Sequence, residues 1–141
     1  MTAGFVLDAS VTVAWCFPDE PTHYTRSVLK SLGPGFQAVV PGLWPVEVAN
    51  VLLVGERRKR STQADTATWL GFLRALPIII DDETNDRIWA DTLSVARAQS
   101  LSTYDAVYLE LAMRRGLPIA TLDDKLKTAA SMVGVPLFAV P

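Results

Sequence analysis

Phe5-Val6-Leu7-Asp8-Ala9-Ser10 is the stretch whose reading decides the fold. Three apolar residues in a row, ended by an acid and followed by a helix-compatible run, read as a short strand covered on both faces, with a carboxylate at its C-terminal end. Similar short apolar runs, bounded by Pro, Gly or Asp, occur at 38–40, 78–80 and 118–120, and 137–140 offers a fifth. Helical periodicity fills the gaps, at 11–16, 22–31, 43–58, 63–75, 84–99, 103–115 and 124–133. Gly116 and Gly134 stand where helix C-terminal caps favour glycine. Strands alternating with helices predict an α/β fold, a three-layer α/β/α sandwich around a central parallel sheet of four to five strands with right-handed crossovers.

Of the 141 residues, 50% are apolar and 20% charged, enough to build a core, and the length fits one domain spanning 1–141. The single cysteine, Cys16, excludes an internal disulfide and fits a cytoplasmic setting. The first residues lack the basic region and long apolar stretch of a signal peptide. No apolar run approaches the roughly 20 residues of a membrane helix, so no membrane role is expected. The net charge of −2 supplies no basic field to attract nucleic acid. A nuclease reading has to rest on local features.

Those features are acids. Ligands of open parallel sheets bind beyond the carboxyl ends of the strands. Asp8 ends the first strand, and Asp123 ends the fourth in Ile119-Ala120-Thr121-Leu122-Asp123. Glu47 lies in the first turns of the helix after the second strand and heads the stripe Glu47-Asn50-Val51-Val54, whose lower part is expected to pack on the sheet. Asp105 heads a comparable stripe, Asp105-Leu109-Ala112. Pattern alone leaves open whether Asp105 reaches the same edge, because a plain up-and-down path puts it at the far one. Helix starts also favour such acids, so Asp105 after Ser102 and Thr103, and Asp123, each equally fit a cap.

Clustered carboxylates repel and take up protons unless a cation neutralises them. The donors are all oxygen, which suits Mg²⁺ or Mn²⁺. His23 is the only histidine, so Cys/His zinc sites, Ser-His-Asp catalysis and two-histidine ribonuclease chemistry are excluded. His23 reads as a surface residue and Cys16 as a buried one. What remains is metal-assisted hydrolysis, which on a phosphodiester yields a 5′-phosphate and a 3′-hydroxyl.

Four segments carry a resemblance: Leu7-Asp8-Ala9-Ser10-Val11 with Trp15 following; Pro41-Gly42-Leu43-Trp44-Pro45-Val46-Glu47-Val48-Ala49-Asn50-Val51-Leu52; Leu101-Ser102-Thr103-Tyr104-Asp105-Ala106-Val107-Tyr108-Leu109-Glu110-Leu111-Ala112; and Leu117-Pro118-Ile119-Ala120-Thr121-Leu122-Asp123. In this order and spacing the chain resembles, over essentially its whole length, the PIN-domain ribonucleases, and among them the VapC-type toxins of type II toxin–antitoxin pairs. The resemblance implies that Asp8, Glu47, Asp105 and Asp123 are the catalytic, metal-binding acids, which supplies the placement of Asp105. It implies that Ser10, Asn50, Thr103 and Thr121 line or support the site. It further implies an RNA substrate, a cognate small antitoxin that blocks the groove, and a homodimer. Asp124 reads as a first-turn helix acid.

Arg57-Arg58-Lys59-Arg60 is the only basic run, and it reads as a solvated helix end rather than a phosphate grip. Trp15, Trp44 and Tyr104 flank the upstream acids, where they either stack on unpaired bases or pack in the core. A receiver-like, non-catalytic Mg²⁺-binding domain is the nearest alternative, and Asp81-Asp82 after the third strand suggests it. That class, however, wants an acidic pair after the first strand and a lysine after the last, and neither is present. An inactive RNA-binding PIN module is opposed by the intact acid set. A DNA nuclease of the same architecture is opposed only by the resemblance.

Overall fold

A computed structural model describes residues 3–140 of the chain. Four parallel strands, β1 (Ala3–Leu7), β2 (Phe36–Val40), β3 (Ile78–Ile80) and β4 (Ile119–Ala120), form one sheet in the order β3-β2-β1-β4. The register pairs Phe5 with Ala38, Val39 with Ile79, and Leu7 with Ala120. The chain steps outward from β1 to β2 to β3, then returns to place β4 on the other side of β1. That reversal opens a crevice beyond the carboxyl ends of β1 and β4, where α/β sheets bind their ligands. Gly4 is demanded by the close approach of β2: a Cβ there would stand 2.1 Å from the Gln37 carbonyl oxygen.

The first layer of helices contains α1 (Ala9–Cys16), α2 (His23–Ser31), α3 (Trp44–Arg57) and α4 (Gln63–Arg74). α2 and α4 begin with capping boxes, Thr22 with Thr25 and Thr62 with Asp65, which satisfy otherwise orphaned amides. α3 begins with Pro45 in its first turn, where a missing N–H costs nothing. The helical stretch at 84–99 is not one uniform helix. A short α5 (Thr84–Arg87) passes through a π-helical segment, Ile88–Thr92, into α6 (Leu93–Gln99), which ends on Ser100 in the left-handed conformation. α7 (Thr103–Arg115) follows, capped by Ser102 at its start and by Gly116 with φ +63° at its end. α8 (Asp124–Met132) follows β4. The three-layer α/β/α sandwich with a parallel sheet is therefore present.

Two local expectations are corrected. The segment 137–140 does not extend into a fifth strand: Leu137 makes one isolated parallel bridge to Ile119, and the Phe138 amide donates to the Ile119 carbonyl. β4 is only two residues long, so it offers little edge for a further ladder. The stripe Glu47-Asn50-Val51-Val54 does not pack on the sheet. The buried face of α3 is Trp44, Val48, Leu52 and Gly55, whereas Asn50 and Val51 are exposed. The indole of Trp44 donates to the Thr12 hydroxyl at 2.9 Å. Gly55 lets α3 approach the Phe17 ring, which an added Cβ would meet at 2.8 Å. These two anchors turn the helix so that Glu47 lies at the margin of the buried face. By contrast, Leu109 and Ala112 of α7 are buried as expected, and Ala106 to Ala112 are buried without interruption. Among the described residues, no helix is long and apolar enough to cross a membrane.

Candidate active site

Asp8 caps the end of β1 and is only 7% exposed. A buried carboxylate needs donors, and two hydroxyls supply them to the same oxygen. Ser10 Oγ donates to Asp8 Oδ2 at 2.6 Å, and Thr121 Oγ1 donates to it at 2.8 Å. The two hydroxyls are themselves held by backbone amides: Leu122 N–H donates to Ser10, and Asp123 N–H to Thr121, each at 3.0 Å. Both strand ends are thereby tied together, and among the described residues no donor takes Asp8 Oδ1.

Glu47 and Asp123 share this arrangement of one anchored oxygen. Tyr108 Oη donates to Glu47 Oε1 at 2.5 Å. The amide of Leu126 donates to Asp123 Oδ1 at 3.1 Å, making Asp123 the N-cap of α8. Asp105 stands in the first turn of α7, where its own amide donates to the Ser102 hydroxyl at 3.1 Å. Capping therefore holds for Ser102 and Asp123, and on Asp123 it engages only one of the two carboxylate oxygens.

The four acids sense one another. Burial pushes the Asp8 carboxyl above its ordinary range; its hydroxyl partners pull it back, and the charges of Asp105 and Asp123 push it up again. Glu47 is raised by burial against the pull of Tyr108, with Asp8 and Asp105 adding to the rise. Asp105 is raised by burial and by Asp123, with Ser102 and Lys125 opposing. The junction between α6 and α7 thus brings Asp105 into electrostatic range of the carboxyl edge. α7 packs on α6, on the π-helical segment and on β1.

The remaining residues divide clearly. Ser10 and Thr121 touch Asp8. Thr103 begins α7 and lines a groove of about 380 Å³ with Leu43, Val46, Ile88 and Tyr104. Asn50 is exposed on α3, one turn beyond Glu47. Tyr104 is 63% exposed, whereas Trp44 is buried and Trp15 donates its indole N–H to the Thr25 carbonyl at 2.7 Å. His23 is exposed and Cys16 buried. Arg60 pairs with Asp19 and Glu20 and lies 4.3 Å over the Phe17 ring, which accounts for one member of the basic run as local structure. Sequence reasoning passed over Tyr108. Its signal was its position three residues after Asp105, which places it one turn along the same helix.

A tighter acidic group lies elsewhere. Carboxylate oxygens of Asp81, Asp82 and Glu83 stand within 4.8 Å of one another, and they are the one such trio of candidate ligands among the described residues. Asp81 is already neutralised. Arg114 reaches it at 2.8 Å, Arg115 at 3.2 Å, and Thr84 donates to it at 2.9 Å. Burial would raise Asp81, but these partners overcome it and hold the carboxyl at about 2. Asp81 and Glu83 form a latch between the end of β3 and the end of α7, so Asp81 is engaged by arginines instead of standing free as the receiver-like reading requires.

The crevice acids fit a divalent cation on the chemistry of their donors. All are oxygen, three have an anchored orientation or a hydroxyl neighbour, and among the described residues none of them forms a salt bridge such as Arg114 makes with Asp81. Fold and site define an α/β domain with an acidic crevice at the switch point of its sheet. The chain belongs to the PIN domain family, whose model matches residues 5–131. A comparison with curated proteins gives no match. Among solved structures, the chain is similar to PAE2754 from Pyrobaculum aerophilum, with 25% identity, 92% of this chain and 81% of that one covered, and a TM-score of 0.68. It has the fold of Mycobacterium tuberculosis VapC20, a sarcin–ricin loop cleaving toxin, at 13% identity, 97% and 99% coverage and a TM-score of 0.67. VapBC2 from Rickettsia felis, solved with a DNA fragment from its promoter, gives 12% identity, 98% and 99% coverage and a TM-score of 0.62.

Proposed function

We propose that this chain is a metal-dependent endoribonuclease, the toxin of a toxin–antitoxin pair, acting as one nuclease domain over residues 1–141. The observation that carries the reading is the hydrogen-bond network that ties the four elements bearing Asp8, Glu47, Asp105 and Asp123: Thr121 joins Asp8 to the Asp123 amide, and Tyr108 joins Glu47 to the helix whose first turn holds Asp105. A protein gains nothing in stability from gathering like charges around a buried carboxylate, so the cluster is retained for a ligand that neutralises it.

Membership of the PIN family supports nuclease chemistry, since PIN domains are generally nucleases. The fold shared with VapC20 and VapBC2 supports the toxin role, an RNA substrate and an antitoxin partner. Mg²⁺ or Mn²⁺ would be held by the four acids. Bound there, it would supply a water of lowered pKa and charge neutralisation for the phosphodiester. The chain's own residues set the donors beforehand. Ser10 and Thr121 fix Asp8 Oδ2, which leaves Oδ1 available. Tyr108 does the same for Glu47, and the α8 amide for Asp123. Thr103 and Tyr104 border the groove beside Asp105, where an unpaired base has an exposed ring to stack on. Asn50 supports the outer rim of the site. The protein is proposed to work in the cytoplasm as a homodimer.

The experiment is induction of the chain in a bacterial host with and without a co-expressed partner, followed by sequencing of RNA ends. The expected result is growth arrest relieved by the partner, with new 5′-phosphate ends. High-level expression without arrest and without new RNA ends overturns the reading.

A further inference from the structure

We propose that Tyr108 is a positioning residue of the metal centre: its phenol fixes one oxygen of Glu47 and leaves the other as the one available to the cation. This rests on the metal-dependent reading above and deepens it. Tyr108 is completely buried on α7, and its hydroxyl donates to Glu47 Oε1 at 2.5 Å, the short end of the range for a hydroxyl on a carboxylate. Glu47 belongs to α3, so the bond joins the helices that contribute Glu47 and Asp105. A glutamate has several freely rotating bonds, and ordering it on ligand binding costs rotamer entropy. A packed ring with only two torsions can hold that carboxylate in place before the ligand arrives.

A purely structural tyrosine needs only some acceptor for its hydroxyl. Here the acceptor is one of the four crevice acids, and among the described residues no donor takes that acid's second oxygen.

The test is calorimetric titration of the metal-free full chain with Mn²⁺, for the unaltered protein, Tyr108→Phe, Glu47→Gln and the double variant, each first checked for cooperative unfolding. Loss of the hydroxyl is expected to weaken Mn²⁺ binding by about tenfold or more, as loss of a ligand's outer partner does. In the Glu47→Gln background the same change is expected to alter the Kd by less than about twofold, because the two act as a unit. Unchanged affinity in Tyr108→Phe, or an equal loss in both backgrounds, overturns the role of Tyr108 alone. No Mn²⁺ uptake by the unaltered protein overturns it together with the proposed function. Should Tyr108→Phe fail to fold, proton NMR of the unaltered protein decides: a slowly exchanging hydroxyl resonance that moves on Mg²⁺ addition is expected, and one that is absent or unmoved at saturation contradicts the proposal.

Discussion

The Thr121 hydroxyl donates to Asp8 Oδ2 over 2.8 Å, joining two residues 113 positions apart at the floor of the crevice. The bond exists because β4 returns to lie beside β1 and both strands end at the same edge. Its effect is to orient a buried carboxylate by a hydroxyl that is itself fixed by the Asp123 amide.

Thr121→Val keeps the shape of the side chain and removes its hydrogen bonds with Asp8, the Asp123 amide and the Ser10 hydroxyl. A bond from a neutral donor to a buried charge contributes about 1.5–3 kcal/mol, so a loss of that order is expected in urea denaturation at neutral pH. Weaker divalent-ion binding is expected alongside it. A variant as stable as the parent would show that Asp8 does not depend on this donor.

The pH dependence of the metal-free protein follows from the raised carboxyls. Asp8, Glu47 and Asp105 hold protons more tightly when folded than their ordinary values of 3.8, 4.5 and 3.8. Below those values both states are protonated and nothing is lost. As pH rises the unfolded chain ionises first, so these groups destabilise the fold progressively until pH passes their folded values. Thermal unfolding in a chelator is expected to show this downward contribution from about pH 4 toward neutrality, relieved by Mg²⁺. Asp105→Asn is expected to raise the metal-free midpoint at pH 7 while lowering divalent-ion affinity. A lower midpoint for that variant contradicts the repulsion argument.

Asp81 behaves in the opposite sense. Its folded carboxyl is held at about 2 against an ordinary 3.8, so its stabilising contribution is full above about pH 4 and is lost as pH falls toward 2. Arg114→Ala leaves a fully buried carboxylate with only Arg115 and Thr84. Breaking a buried pair from one side costs about 3–5 kcal/mol, and the surviving partners place the expectation near the lower end. Denaturation of Arg114→Ala and of Arg114→Ala/Asp81→Asn checks it: the second change is expected to restore part of the loss. Equal stability of Arg114→Ala and the parent would remove the latch.

Much of this was legible because β1, β2 and β4 have buried cores that appear as short apolar runs, with Asp8 directly after the first and Asp123 three residues after the last; β3 is equally apolar in sequence, yet Ile79 and Ile80 are exposed. Asp105 was not placed by pattern, since the path from 84 to 103 depends on a π-helical segment and on a left-handed Ser100, neither of which has a periodic signature. The rotation of α3 was misread because its stripe is set by the Trp44 indole reaching Thr12 and by Gly55 yielding to Phe17, contacts between distant segments. The hydroxyl partners of Asp8 came from resemblance, whereas Tyr108 was missed because a tyrosine in an apolar helix reads as core. It is core by burial, and its polar tip alone reaches the crevice.

The most direct measurement is cleavage of a labelled RNA by the purified chain in Mg²⁺ or Mn²⁺, with matched reactions in excess chelator and with Asp8→Asn and Asp105→Asn shown to be folded. The account predicts products only for the unaltered protein with metal, bearing 5′-phosphate and 3′-hydroxyl ends. Undiminished cleavage in chelator, or by either variant, contradicts it.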